Sequence, residues 1–173
     1  MTFTLDEADE IVRFNVRYKH ANGQEADVVV GTPICFEDTV PGVCREMVWG
    51  SGSSKQAQLL INLSNDGWFG RSIAGREMHL LISRFRSIEN RVPLLRSVNT
   101  GISASIDASG RVITSLSANT KGRIEASVQL DRGWSVFGAI GQLPSAIMSI
   151  VLLVGIVLSL WYRSVETPIE VSE

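Results

Sequence analysis

Cys35 closes the run Asp27-Val28-Val29-Val30-Gly31-Thr32-Pro33-Ile34 and directly precedes Phe36-Glu37-Asp38. A thiol at a strand end can project from a rigid sheet into a cleft, where the following backbone N–H groups can face a developing oxyanion. Nucleophilic work needs the thiolate, so a cationic or basic neighbour must hold the pKa below the free value of about 8.5. The alternative for such a cysteine is a small buried hydrophobe in a β run. Cys44 falls on a predicted helix and reads as structural. A Cys35–Cys44 disulfide is disfavoured by their places on a strand and the next helix. His20, in a polar turn, and His79, on a helix, form no metal motif and read as solvated or core histidines. Neither a metal nor a cofactor is expected. A second cluster, Ser64-Asn65-Asp66-Gly67-Trp68-Phe69-Gly70, follows another buried run. It falls at the same sheet edge as Cys35 if the two strands are parallel neighbours. Asn-Asp-Gly is ordinary turn sequence. Trp68 and Phe69 between glycines leave three readings: a substrate wall, a membrane-facing lip, or loop aromatics folded back on the core.

The elements that must position these residues follow from periodicity. Alternation over Ile11–Tyr18 predicts a strand, with a turn at Asn22–Gly23. Asp27–Phe36 reads as a strand buried on both faces. Thr39–Trp49 reads as a short helix, with Thr39 as cap and Pro41 in its first turn. Gly50–Ser54 is a loop and Leu59–Leu63 a second buried strand. Met78, Leu81, Ile82, Phe85 and Ile88 recur at helical spacing and predict one apolar stripe, with Arg76, Glu77, Arg84 and Arg86 largely off it. Pro93 ends that helix and opens a strand at Leu94–Val98. Ile102–Ile106 and Arg111–Ser115 form a hairpin about Asp107-Ala108-Ser109-Gly110. A last strand is expected at Arg123–Leu130. Strands alternating with helices and then forming a hairpin predict an α/β sheet of mixed direction.

Sixteen basic and eighteen acidic residues leave a net charge of −2. That balance lacks the basic footprint of a nucleic-acid binder. From Gly133 to Tyr162 there is no Asp, Glu, Lys or Arg. A bilayer core of about 30 Å takes about 20 helical residues, so this run is long enough to cross one. It is apolar on every face, unlike a core helix with one buried stripe. Trp134 and Trp161–Tyr162 bracket it as interfacial anchors do. Residues 137–162 are therefore expected to span a membrane, between a globular part over 1–132 and a polar tail over 163–173.

Four segments in order narrow the reading further: Gly31-Thr32-Pro33-Ile34-Cys35-Phe36-Glu37-Asp38; Ile61-Asn62-Leu63 through Gly70; Arg84-Phe85-Arg86-Ser87-Ile88-Glu89-Asn90-Arg91-Val92-Pro93-Leu94-Leu95-Arg96; and Asn99-Thr100-Gly101-Ile102-Ser103. Together they resemble the nitrilase-type domain of the apolipoprotein N-acyltransferases, integral-membrane members of the nitrilase (carbon–nitrogen hydrolase) superfamily. The resemblance covers the chain from about Phe3 to the tail. It implies the C-terminal part of a nitrilase-like α-β-β-α sandwich followed by one transmembrane helix.

The resemblance also implies a chemistry. Cys35 matches the nucleophile, which takes an acyl chain from a phospholipid as a thioester. The amino group of a diacylglyceryl-modified N-terminal cysteine on an apolipoprotein then attacks, giving an amide. Two easier transfers replace one hard one. Glu37 matches a family glutamate beside the nucleophile, and Phe36 stands where the family often has tyrosine. Asn65, Asp66, Trp68 and Phe69 match the family's aromatic loop and are expected to support the site or the lipid's entry. The globular part is expected outside the cytoplasmic face of the inner membrane, with 163–173 inside. The family's catalytic glutamate and lysine precede the cysteine, within a Lys-x-x-Leu-Val-Pro-Phe-Gly-Glu type segment. Nothing like it occurs before Cys35, where Lys19 is the sole lysine and reads as a hairpin residue. The chain is accordingly expected to be a C-terminal portion that does not complete turnover alone. Two other readings stay open: a membrane-tethered carbon–nitrogen hydrolase acting on a small amide, and a non-catalytic fragment.

Overall fold

Strand β1 (Arg13–Lys19) pairs antiparallel with β2 (Glu25–Gly31), from Arg13 opposite Gly31 to Lys19 opposite Glu25. Gly23, at φ 87°, makes the turn between them, as Asn22–Gly23 predicts. His20 lies outside the described residues. These are residues 10–19, 22–52 and 54–166 of a computed structural model. The chain divides into two compact units, 1–139 and 140–173.

The first unit is built on one six-stranded sheet in the order β1-β2-β3-β4-β5-β6. Its further strands are β3 (Leu59–Asn65), β4 (Leu94–Asn99), β5 (Ser103–Ile106) and β6 (Val112–Leu116). β2, β3 and β4 run parallel, while β1, β5 and β6 are antiparallel to their neighbours. Helices α1 (Pro41–Trp49) and α2 (Ile73–Asn90) provide the crossovers that parallel neighbours require. The main core joins Cys44, Met47, Val48 and Trp49 of α1 to Leu60, Leu94, Ala104 and Ile106 of the sheet. Gly31 permits this close approach, since a Cβ there would lie 3.0 Å from Leu60 and 3.1 Å from Met47. Arg13 caps the far end of α1. It donates to the Met47 carbonyl at 2.8 Å and to that of Glu46, where the helix dipole favours a cation.

Several expectations need correction. The strand expected to reach Phe36 stops at Gly31. Pro33 has no N–H for a ladder, and only Ile34 keeps a bridge, to Leu63. Val40, not Thr39, caps α1. Residues 123–130 form no strand. The stripe Met78, Leu81, Phe85 and Ile88 is on the exposed side of α2, with Phe85 48% exposed. The buried side carries Arg76, His79, Ser83, Arg86, Ser87 and Asn90.

The uncharged C-terminal run is divided. α3 (Val136–Ile140) ends at Gly141, whose φ is 57°, and α4 (Leu143–Glu166) follows. α4 is long and apolar enough to cross a membrane and is exposed along its length. Its helical backbone continues past Arg163, so the first residues of the expected tail are helical.

Candidate functional site

The parallel pairing of β2 with β3 and the Ile34–Leu63 bridge bring the two sequence-flagged segments to one sheet edge. Each leaves its strand in a single 3-10 turn, Cys35–Thr39 and Asp66–Phe69. Cys35 opens the first at φ 52°. The left-handed region is uncommon for a residue with a Cβ and persists only where surroundings fix it.

Those surroundings are specific. The buried Asn62 side chain, on β3, donates to the carbonyls of Pro33 and Cys35, both at 3.0 Å. Glu37 Oε2 accepts the Ile34 N–H at 2.7 Å, and the Glu37 N–H bonds to the Ile34 carbonyl at 3.1 Å. That N–H is therefore engaged and is not the free oxyanion donor the sequence suggests. Thr39 Oγ1 donates to the Phe36 carbonyl at 2.8 Å. In the second turn Asn65 Oδ1 accepts the Gly67 N–H at 3.0 Å.

Beneath both turns lies a buried ionic cluster. His79 Nε2 is 2.8 Å from Asp38 Oδ1, and its Nδ1 is 2.8 Å from Asp66 Oδ1. Asp38 Oδ2 accepts from Ser83 Oγ at 2.6 Å and from Arg96 Nη1 at 2.8 Å. Arg96 Nη1 also meets Ser83 Oγ, and Arg96 Nη2 lies 3.9 Å from Asp66 Oδ2. All five side chains are buried. Each ring nitrogen of His79 thus faces one carboxylate oxygen, and the tautomer sets which nitrogen donates. Burial pulls the Arg96 pKa down, while Asp38, Asp66 and Cys35 each push it up.

α2 delivers this chemistry because its buried face is the polar one. Arg76 donates to the Gly70 carbonyl at 2.7 Å, His79 holds both turns, Ser83 holds Asp38, and Arg86 donates to the Thr39 carbonyl at 3.2 Å. Gly101 completes the fit, because a Cβ there would strike Asp66 Oδ2 and Val98.

Around the thiol, Phe36 and Trp68 are 52% and 62% exposed and meet edge to face at 5.7 Å. Trp68 stacks on Phe69 at 4.5 Å, and Phe69 lies 6.0 Å from the His79 ring. The two aromatics therefore part company: Trp68 faces outward, while Phe69 is half-buried over the ionic cluster. Ser64 Oγ is 3.6 Å from Cys35 Sγ. Cys44 is a free, fully buried thiol whose S–H donates to the Glu37 carbonyl at 3.7 Å. Burial pushes its pKa up to about 12. Lys19 sits at the turn end of the β1–β2 hairpin. It is about 20 Å, six strand residues, from the end of β2 that leads to Cys35. A partly buried thiol beside a hydroxyl donor, in the turn that also carries the exposed Phe36, can serve as a nucleophile.

The structure thus brings together every sequence-flagged site residue: Cys35, Phe36, Glu37, Asn65, Asp66, Trp68 and Phe69. Sequence reasoning did not single out Asp38, Ser64, Ser83 and Arg96, and of its two readings for His79, solvated or core, the structure gives the core one. The available signal was the polar helical spacing of Arg76, His79, Ser83, Arg86 and Asn90.

A protein of Bradyrhizobium diazoefficiens named apolipoprotein N-acyltransferase is 38% identical over 66% of this chain, but that match covers 20% of the relative. Apolipoprotein N-acyltransferase 1 of Treponema denticola is 32% identical over 85% of this chain and 27% of its own length. The chain thus spans about a fifth to a quarter of the curated relatives it matches. Among solved structures, Saccharomyces cerevisiae Nit3, a member of branch 10 of the nitrilase superfamily, aligns with 68% of this chain and 41% of its own. Its identity is 16% and its TM-score 0.48. The mixed sheet with its helices and one apolar C-terminal helix is the α/β, nitrilase-like class expected from the sequence. The carbon–nitrogen hydrolase family model matches residues 6–135, most of the chain and the whole of the site just described, and the chain belongs to that family.

Proposed function

We propose that Cys35 is the acyl carrier in lipoprotein N-acylation. The carrying observation is the strained turn at Cys35, held open beside an exposed aromatic wall, in a segment matched to relatives named apolipoprotein N-acyltransferase. In the first step Cys35 Sγ attacks the ester carbonyl of a phospholipid. The C–S bond forms, the ester C–O bond breaks, and the lysophospholipid oxygen leaves with the proton. In the second step the amino group of the diacylglyceryl-cysteine at an apolipoprotein N-terminus attacks the thioester. The amide C–N bond forms, the C–S bond breaks, and the amine proton returns to the sulfur. Phe36 and Trp68 offer the acyl chain an apolar wall, while Glu37, Asn65 and Asp66 hold the two turns. α4 crosses the inner membrane and the globular unit works on its extracytoplasmic side.

The test is acylation from phospholipid carrying a labelled acyl chain, in native membranes holding the full-length enzyme. A hydroxylamine-sensitive label on the Cys35 peptide, absent after Cys35→Ser, is expected. Label on Cys44, or label that survives Cys35→Ser, refutes the assignment.

A further inference from the structure

Among the described residues Cys35 Sγ has one side-chain hydrogen-bond partner, Ser64 Oγ at 3.6 Å. The same hydroxyl lies 3.3 Å from Asp66 Oδ1. A hydroxyl has one proton and two acceptor positions, so it serves one of these acceptors at a time. Asp66 Oδ1 also faces His79 Nδ1 at 2.8 Å, a second donor to it in the Nδ1–H tautomer. Ser64 can therefore turn to the sulfur without orphaning a buried carboxylate oxygen, a loss that would be costly. His79 is itself fixed through Asp38, which Ser83 and Arg96 hold.

We propose that Ser64 is a positioning residue matched to both states of Cys35. It accepts from the thiol while donating to Asp66 Oδ1, and donates to the thiolate while the Nδ1–H of His79 keeps Asp66 Oδ1 bonded. This rests on the reading of Cys35 as the acyl carrier. It explains why the penultimate residue of β3 carries a hydroxyl within reach of the Cys35 turn, and why a histidine faces Asp66 behind it.

Net charge does not explain the site as well. The charged and titratable groups around the sulfur are Glu37 on its own turn, Asp66 on the second turn, His79 on α2 and Arg96 on β4, with Asp38 behind. Arg96 favours a thiolate; Asp38, Asp66 and Glu37 oppose it. With one guanidinium against three carboxylates, the local hydroxyl donor is what favours the thiolate over the thiol.

The experiment measures the rate of Cys35 alkylation by iodoacetamide against pH, on the full chain in membranes, by mass spectrometry of the Cys35 peptide. The buried Cys44 serves as the unreactive reference. Ser64→Ala is expected to move the midpoint of the profile up by about one pH unit, a tenfold loss of thiolate at fixed pH below it. Ser64→Thr, which keeps the hydroxyl, is expected to retain the parent midpoint. Ser64→Val repeats the comparison with Thr at constant shape, so a packing defect in the alanine variant does not decide the outcome. A midpoint unmoved in both Ala and Val, or moved equally in Thr and Val, overturns the proposal. Alkylation reads the sulfur directly. Failure of acyl labelling with these shifts intact therefore counts against the acyl-carrier reading and not against the role of Ser64 toward the thiol.

Discussion

A buried guanidinium facing two carboxylates is costly to remove, because the carboxylates stay behind unpaired. Arg96 is 4% exposed, and Asp38 and Asp66 are fully buried. Removing one partner of a buried ionic group costs about 3–5 kcal/mol, because the charges left behind stay out of water. Arg96→Met is therefore expected to destabilise the chain by about that amount in urea unfolding in detergent micelles. A loss below about 1 kcal/mol would show that the cluster is wetter than its geometry implies. The two loop aromatics divide at this scale as well. Trp68 is largely exposed and loses mainly a stack worth about 0.5–1.5 kcal/mol, so Trp68→Ala should cost about 1 kcal/mol. Phe69 packs where a Cβ on Gly75 would meet its ring at 2.6 Å, and Phe69→Ala should cost about 2–3 kcal/mol. Equal costs in the same unfolding assay would contradict the division.

At the scale of elements, α2 tests how far a hydrophobic pattern assigns a face. Its 3.6-residue period gave the helix correctly, because Met78, Leu81, Phe85 and Ile88 do share one side. The period carries no information on which side meets the sheet. Here the inner side holds His79, Ser83 and Arg86, whose partners Asp38, Asp66, Thr39 and Arg96 come from three other segments. Such mutual satisfaction is invisible until those segments are placed together. His79→Leu is accordingly expected to destabilise by several kcal/mol, whereas Phe85→Ala should cost less than about 1 kcal/mol. The reverse order in thermal unfolding would restore the apolar side as the buried one. The turns were more legible. Gly23 and the residues flanking Cys35 and Asp66 announce breaks in chain direction. Val-rich continuity predicts a strand running on to Phe36, whereas Pro33 and the left-handed Cys35 break it after Gly31. The strand expected at 123–130 rested on local composition alone and finds no ladder partner among the described residues.

For the molecule as a whole, the decisive question is what solvates α4. Its 24 residues span about 36 Å at 1.5 Å each, more than a hydrocarbon core of about 30 Å. Between Ala146 and Leu160 stand ten Leu, Ile and Val residues. At about −0.3 to −0.6 kcal/mol each near the bilayer centre, they favour insertion by about 3–6 kcal/mol. Its polar groups fit the same solvent. Ser145 and Ser149 donate to the carbonyls of Gln142 and Ser145, at 2.7 and 2.9 Å, so their hydroxyls are satisfied within the helix. Arg163 follows Trp161–Tyr162 at the C-terminal end, where aromatic rings and a snorkelling cation suit the interface. A central arginine costs about 2.5–3.5 kcal/mol on the same scale, comparable to the whole apolar gain. The parent chain is therefore expected to stay in the membrane pellet after alkaline carbonate extraction. Leu153→Arg should release part of it, and the double change Leu153→Arg with Val154→Arg should release most. Release of the intact parent, or retention of the double variant at the parent level, would mean that α4 is covered by protein and not by lipid.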